Sequence, residues 1–151
     1  MRFRHDAAVI EFSPECLAVF EKHRQRSPRH REIGGQLFAR FEVGTIWIEL
    51  ATAVRGSRFR FSFQPDRRSE QIEIEQYFSE GLHYIGDWHT HPEASPQPSK
   101  PDVQKMSGIF TESEHQLPFM LMVIVGLAPY PDGLFVAAVS TQQLTVLCSI
   151  N

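Results

Sequence analysis

The sequence predicts an α/β fold, a mainly antiparallel β-sheet flanked by helices. Three observations lead there. Short runs of β-branched and large apolar residues recur along the chain, separated by Gly, Pro and polar turn residues. Helix-start signals stand at Ser13-Pro14, at Asp66 and at Ser99. The chain has 151 residues, 42% of them apolar and 22% charged, which suits one packed core and a single domain over residues 1–151.

The elements follow in order. Residues 9–12 read as a short strand, after which Ser13 caps a helix that runs to about His23, with Pro14 in its first turn. The polar, basic stretch 24–31 is a surface loop, and Gly34-Gly35 precedes a strand over 36–41. Val43-Gly44 turns the chain into a strand over 45–54, and Gly56 marks a further turn into 59–63, where Phe alternates with Arg and Ser. Asp66 caps a second helix through about Glu80, which Gly81 ends, and residues 82–91 form a strand. The Pro- and Ser-rich segment 92–101 is a loop, and a third helix begins near Ser99. Residues 119–125, 133–139 and 144–150 are the closing strands. Helices separate some strands, so some parallel pairing is allowed.

Composition excludes several function classes. The formal charge is −3, and no basic run exceeds Arg67-Arg68, so no continuous strip exists for neutralising phosphates and nucleic acid is not expected as a partner. Two cysteines, Cys16 and Cys148, make neither a disulfide framework nor a cysteine metal site; as buried thiols they suit a reducing cytoplasm. The longest apolar stretch, 117–128, is too short for a bilayer, and the amino terminus is too charged for a signal peptide. A cytoplasmic protein with no membrane partner is the expectation.

The chemistry gathers on one segment. His89 and His91 stand two apart on a strand, so both imidazoles project from one face and can meet a single metal ion. Two solvated histidines on an exposed strand would look the same. Pro92 stops the strand, six residues follow, and Ser99 and Asp102 open the next helix, so a returning loop can bring Asp102 back as a third ligand. Two His and one carboxylate leave a fourth tetrahedral position for water, as in a catalytic zinc site. Ser99-Lys100-Pro101-Asp102 is also an N-capping box, and the two readings are compatible.

Read together, Gly86-Asp87-Trp88-His89-Thr90-His91-Pro92, six residues and Ser99-Lys100-Pro101-Asp102 closely resemble the signature of the JAMM zinc metallopeptidases, whose domain is called JAB or MPN. Upstream, Glu32-Ile33-Gly34-Gly35 resembles that family's Glu-x-Gly-Gly. The resemblance implies the MPN fold, a cytidine-deaminase-like architecture. It implies one Zn²⁺ per chain with a catalytic water, held by His89, His91 and Asp102, with Glu32 as general base and Ser99 stabilising the oxyanion. Hydrolysis by metal-bound water independently needs a base that is not a ligand and a donor aimed at the developing charge.

Around this motif, Gly34-Gly35 is either a turn or a place of close backbone approach. Trp88 alternates with the ligands and so belongs to the core. Asp87 departs from common family members, which often carry an apolar or aromatic residue there; it is either a partner for a ligand imidazole or a solvated edge acid. His5, His23, His30, His83 and His115 have no ligand spacing.

The Pro- and Ser-rich loop and compact size look similar to small bacterial JAMM proteins, including those encoded with ubiquitin-transfer-like enzymes in antiphage operons. The implied substrate is a ubiquitin-like protein or its conjugate, cut after the modifier's carboxy-terminal glycine, with a strand edge receiving the extended tail. Partners would include the operon's ubiquitin-transfer-like enzymes. Three alternatives remain. The first is a peptidase for a sulfur-carrier protein. The second is a DNA-repair-associated relative, whose motif this chain does not match at Thr90 and Glu93-Ala94. The third is a metal-free MPN scaffold, against which all five functional positions argue.

Overall fold

The computed structural model describes residues 1–27, 29–53, 67–141 and 143–150. In chain order it contains β1 (Arg2–His5), β2 (Ala8–Phe12), α1 (Pro14–His23), β3 (Gly34–Glu42), β4 (Thr45–Ala51), α2 (Arg67–Ser79), β5 (His83–Thr90), α3 (Lys100–Glu112), β6 (Met120–Val125), β7 (Leu134–Val139), β8 (Leu144–Val146) and β9 (Cys148–Ile150). The expected turn at Gly56, the strand over 59–63 and the Asp66 cap lie outside the described residues.

Among the described residues, nine strands join one sheet in the order β8-β7-β6-β5-β3-β4-β2-β1-β9. β2 with β4 and β5 with β6 are parallel, and the remaining pairs are antiparallel. The parallel β5–β6 pair lies inside the sheet and needs a crossover, which α3 supplies.

Two strand expectations need correction. β1 was not foreseen because its only buried side chain is Phe3, set among Arg2, Arg4 and His5, so no apolar alternation marks it. The single strand expected over 144–150 is two strands interrupted at Leu147: β8 pairs with β7, and β9 crosses to pair with β1. Since β8 and β9 are opposite edges of the order yet one residue apart, the sheet curls until its edges nearly meet. Both edge strands are three residues long, so among the described residues no long edge strand is offered to an extended tail.

The sheet buries both faces. On one, Phe12, Phe20, Leu37, Ile85, Trp88, Leu121, Val123 and Val136 form the larger core with α1. On the other, Met120, Met122, Ile124, Phe135 and Val139 pack with Met106 of α3. Phe12 and Phe20 alone bury area worth roughly 3–6 kcal/mol together by apolar transfer. α2 has no buried residue; Tyr77 packs on Phe38 at 4.7 Å between ring centroids, and Glu73 accepts from the Thr52 hydroxyl at 3.0 Å. Cys16 is buried, and that burial pushes its thiol up to about 12, whereas Cys148 on the edge is exposed, against expectation. Among the described residues no helix is long and apolar enough to cross a membrane.

Candidate active site

β5 presents His89 and Asp87 on the face that carries α2 and α3, and turns Trp88 and Thr90 to the other. Trp88 is fully buried against Phe20, with ring centroids 4.9 Å apart, and its indole N–H donates to the Thr52 carbonyl at 2.7 Å. It is core, as the alternation implies.

The antiparallel β3–β5 register sets Gly34 opposite His89 and Gly35 opposite Trp88. Thr90 continues that pairing one step beyond β3: its N–H donates to the Ile33 carbonyl at 2.9 Å, and its hydroxyl accepts from the Ile33 N–H at 3.1 Å. The next residue outward, Glu32, therefore faces His91, with Oε1 4.0 Å from Nε2. A β-carbon on Gly34 would lie 2.4 Å from the Trp88 carbonyl oxygen, and one on Gly35 would lie 1.9 Å from that of Thr52. Close backbone approach, and not a turn, is thus the reason for the glycine pair.

His91 follows the end of β5 and is held by its N–H, which donates to the Val125 carbonyl at 2.9 Å. The loop after Pro92 folds onto the end of β6, where Leu127 and Ala128 donate to the carbonyls of Glu93 and Ala94. This return brings the start of α3 over the histidines. Ser99 caps α3 with a complete capping box: its N–H and hydroxyl reach Asp102 Oδ2 at 2.7 and 2.6 Å, and its Oγ accepts from the Asp102 N–H at 3.3 Å. The capping reading of this tetrapeptide holds, and it is compatible with the ligand reading, because the cap engages Oδ2 and leaves Oδ1 facing His89.

His89, His91 and Asp102 are the one group of three or more His, Cys, Asp or Glu among the described residues that could hold a metal. The two Nε2 atoms are 3.2 Å apart; Asp102 Oδ1 is 3.4 Å from His89 Nε2, and Oδ2 is 3.6 Å from His91 Nε2. A tetrahedral ion with ligands at about 2.0–2.1 Å has edges of about 3.3–3.4 Å; the His89–His91 separation and that from His89 to Asp102 Oδ1 lie close to that length, so the donor set is compatible with a zinc-sized ion. Burial would raise the Asp102 carboxyl, but hydrogen bonds from His89 and Ser99 outweigh it and hold the group well below the usual carboxylate range. Asp102 is accordingly a carboxylate at neutral pH.

These groups open into a cleft of about 850 Å³ between β5, α3 and the first turn of α2. Farther along its wall lie Glu70, Asp87 and Lys105, none of them singled out for this role by sequence patterning except Asp87. Burial, with help from Asp87 and against Lys105 and Arg67, pushes the Glu70 carboxyl up to about 7. Asp87 fits neither sequence expectation. It is 7% exposed on an internal strand, accepts from the Tyr84 hydroxyl at 2.9 Å, and lies 3.5 Å from Lys105 Nζ. The remaining histidines sit elsewhere; His115, for example, bonds Phe110 and Leu117.

The family model described as prokaryotic homologs of the JAB domain matches residues 14–138. The chain belongs to the JAB domain family. A Pseudomonas aeruginosa protein named CD-NTase/cGAS isopeptidase is 32% identical over 78% of this chain and 77% of its own length. An Enterobacter hormaechei protein of the same name is 35% identical over 55% of the chain, and a probable metalloprotease of Sinorhizobium fredii is 40% identical over 45%. The aligned part is under half of either of these two relatives, 46% and 44%. A solution structure of a Desulfitobacterium hafniense protein shares the fold, with a TM-score of 0.66 at 18% identity, covering 91% of this chain and 88% of that one. Family and relatives' names support a peptidase or isopeptidase of JAB type, with a His-His-Asp group compatible with a metal.

Proposed function

We propose that this chain is a zinc-dependent peptidase or isopeptidase that releases a protein joined through the carboxy-terminal glycine of a ubiquitin-like modifier. The observation that carries the reading is the convergence of His89 Nε2, His91 Nε2 and the Asp102 carboxylate, with His89 Nε2 3.2 Å from His91 Nε2 and 3.4 Å from Asp102 Oδ1, and the Glu32 carboxylate just outside them. Zinc bound there would acidify a water and polarise the scissile carbonyl.

The chain's own groups do the rest. Glu32 lies beside the ligands without belonging to them, so its carboxylate can take a proton from the attacking water and hand it to the leaving amine. The Ser99 hydroxyl, now donating to Asp102, can turn its hydrogen toward the developing oxyanion. Pro92, Pro101 and the start of α3 wall the cleft and favour an extended, small-residue segment at the cut.

The relatives named CD-NTase/cGAS isopeptidase favour a CD-NTase conjugate as substrate. Bacterial antiphage signalling in the cytoplasm is the setting we propose. Two substrates therefore test the proposal: a ubiquitin-like protein fused through its last glycine to a reporter, and a CD-NTase conjugate. The expected result is cleavage of at least one, abolished by a zinc chelator and by changing the glycine to Val or Arg. Cleavage that ignores both the chelator and the glycine would overturn it.

A further inference from the structure

Asp87 and Lys105 stand in the same two elements as the candidate ligands, one step farther into the cleft. Asp87 is two residues from His89 on one face of β5, and Lys105 is one helical turn from Asp102 on α3. The His89–Asp102 contact is 3.4 Å and the Asp87–Lys105 contact is 3.5 Å, so strand and helix are joined by two successive polar rungs.

The second rung is a built feature. β3 and β5 shift register between Leu37 and Phe38, opposite Gly86, whose φ is 149° and whose β-carbon would lie 2.0 Å from the Leu121 carbonyl oxygen. Residues three apart on a regular strand face opposite ways; this bulge turns Tyr84 and Asp87 to the same side. The Tyr84 hydroxyl then donates to Asp87 Oδ1 at 2.9 Å, leaving Oδ2 for Lys105. Tyr84 itself packs against the buried cluster that includes Met106, the residue after Lys105. Asp87 is 7% exposed, so its carboxylate is aimed and not swept about by solvent.

From this arrangement we infer that Asp87 and Lys105 are positioning residues: their ion pair fixes α3 against β5 and so sets where Asp102 meets the two histidines. The inference rests on the metal reading of that site. It makes a prediction that differs in sign from through-space electrostatics. A nearby carboxylate attracts a cation and a nearby ammonium repels it, so electrostatics alone has Lys105→Met bind zinc more tightly. Positioning has Lys105→Met bind it more weakly, because the helix loses its tie.

The test measures zinc affinity by chelator competition, and the visible spectrum of the cobalt-substituted protein, for wild type, Asp87→Asn, Lys105→Met and the double variant. Asn keeps an acceptor for Tyr84, and Lys105 is substantially exposed, so both variants retain the fold; metal-free melting temperatures check this. Each single variant is expected to weaken zinc by about tenfold, the low end for groups that orient ligands, with a changed cobalt spectrum. The double variant should be no weaker than the worse single. Tighter or unchanged zinc in Lys105→Met, or additive losses in the double, would overturn the inference. Wild type that binds no zinc would instead refute the metal reading beneath it.

Discussion

Thr90→Val tests how the general base is held. The Thr90 side chain is fully buried, and its hydroxyl accepts from the Ile33 N–H at 3.1 Å, immediately beside Glu32. Valine fills nearly the same space but offers no acceptor, so that N–H is left unpaired in the interior at a cost of about 1–3 kcal/mol. For a chain of this size the melting temperature should fall by roughly 2–4 °C per kcal/mol, or about 4–8 °C for the middle of that range. The other bond, Thr90 N–H to the Ile33 carbonyl, survives, so the segment loosens without detaching. Glu32 then loses its fixed place opposite His91, and kcat should drop by up to about 10²-fold, the scale of an ångström-size misplacement. Zinc stoichiometry should not change, because neither Thr90 nor Glu32 belongs to the ligand group. Thermal melting, metal analysis and cleavage of the fusion substrate read these three quantities, and Thr90→Ser, which keeps the hydroxyl, should stay near wild type in all of them. A valine variant with unchanged melting and kcat, or a serine variant as damaged as valine, would refute the reasoning.

Further outcomes follow from the same geometry. Glu32→Gln should keep zinc and fold while lowering turnover by about 10²–10⁴, since an amide cannot take a proton; turnover near normal would place the base elsewhere. His89→Ala should bring zinc from one per chain to background, and wild type should release zinc on acidification, because protons compete with the metal for its ligands. Ser99→Ala removes the cap and a bond to Asp102, costing about 1 kcal/mol of stability and slowing catalysis, as melting curves and kcat would show. Glu70 holds its proton more tightly folded than unfolded, so its ionisation costs stability as pH rises from the ordinary glutamate range through about 7. Glu70→Gln should therefore gain on wild type between pH 5 and 8, by about 1 kcal/mol because the carboxyl is partly in water; a gain that stays flat with pH would contradict that burial.

Local sequence signals were sufficient for much of this molecule. Ser13 and Ser99 cap the helices expected of them, and Gly44 and Gly81 sit where turns were expected, because caps and turns depend on a few adjacent residues. The pattern from His89 to Asp102 was legible for the same reason: two imidazoles at strand spacing, a stop, and a polar helix start are all written within one short segment. What the chain alone could not decide are relations between segments far apart. Residues 144–150 carry strand composition throughout, yet nothing in them says that Leu147 passes the chain from one edge of the sheet to the other. β1 exists because β2 and β9 pair with it, although its own residues are mostly polar. The place of Glu32 opposite His91 comes from the β3–β5 register, and the Asp87–Lys105 tie comes from a bulge at Gly86 and the seating of α3. Register, curl and helix seating are settled by which packing buries the most apolar surface with every backbone group paired, and that is a property of the whole sheet.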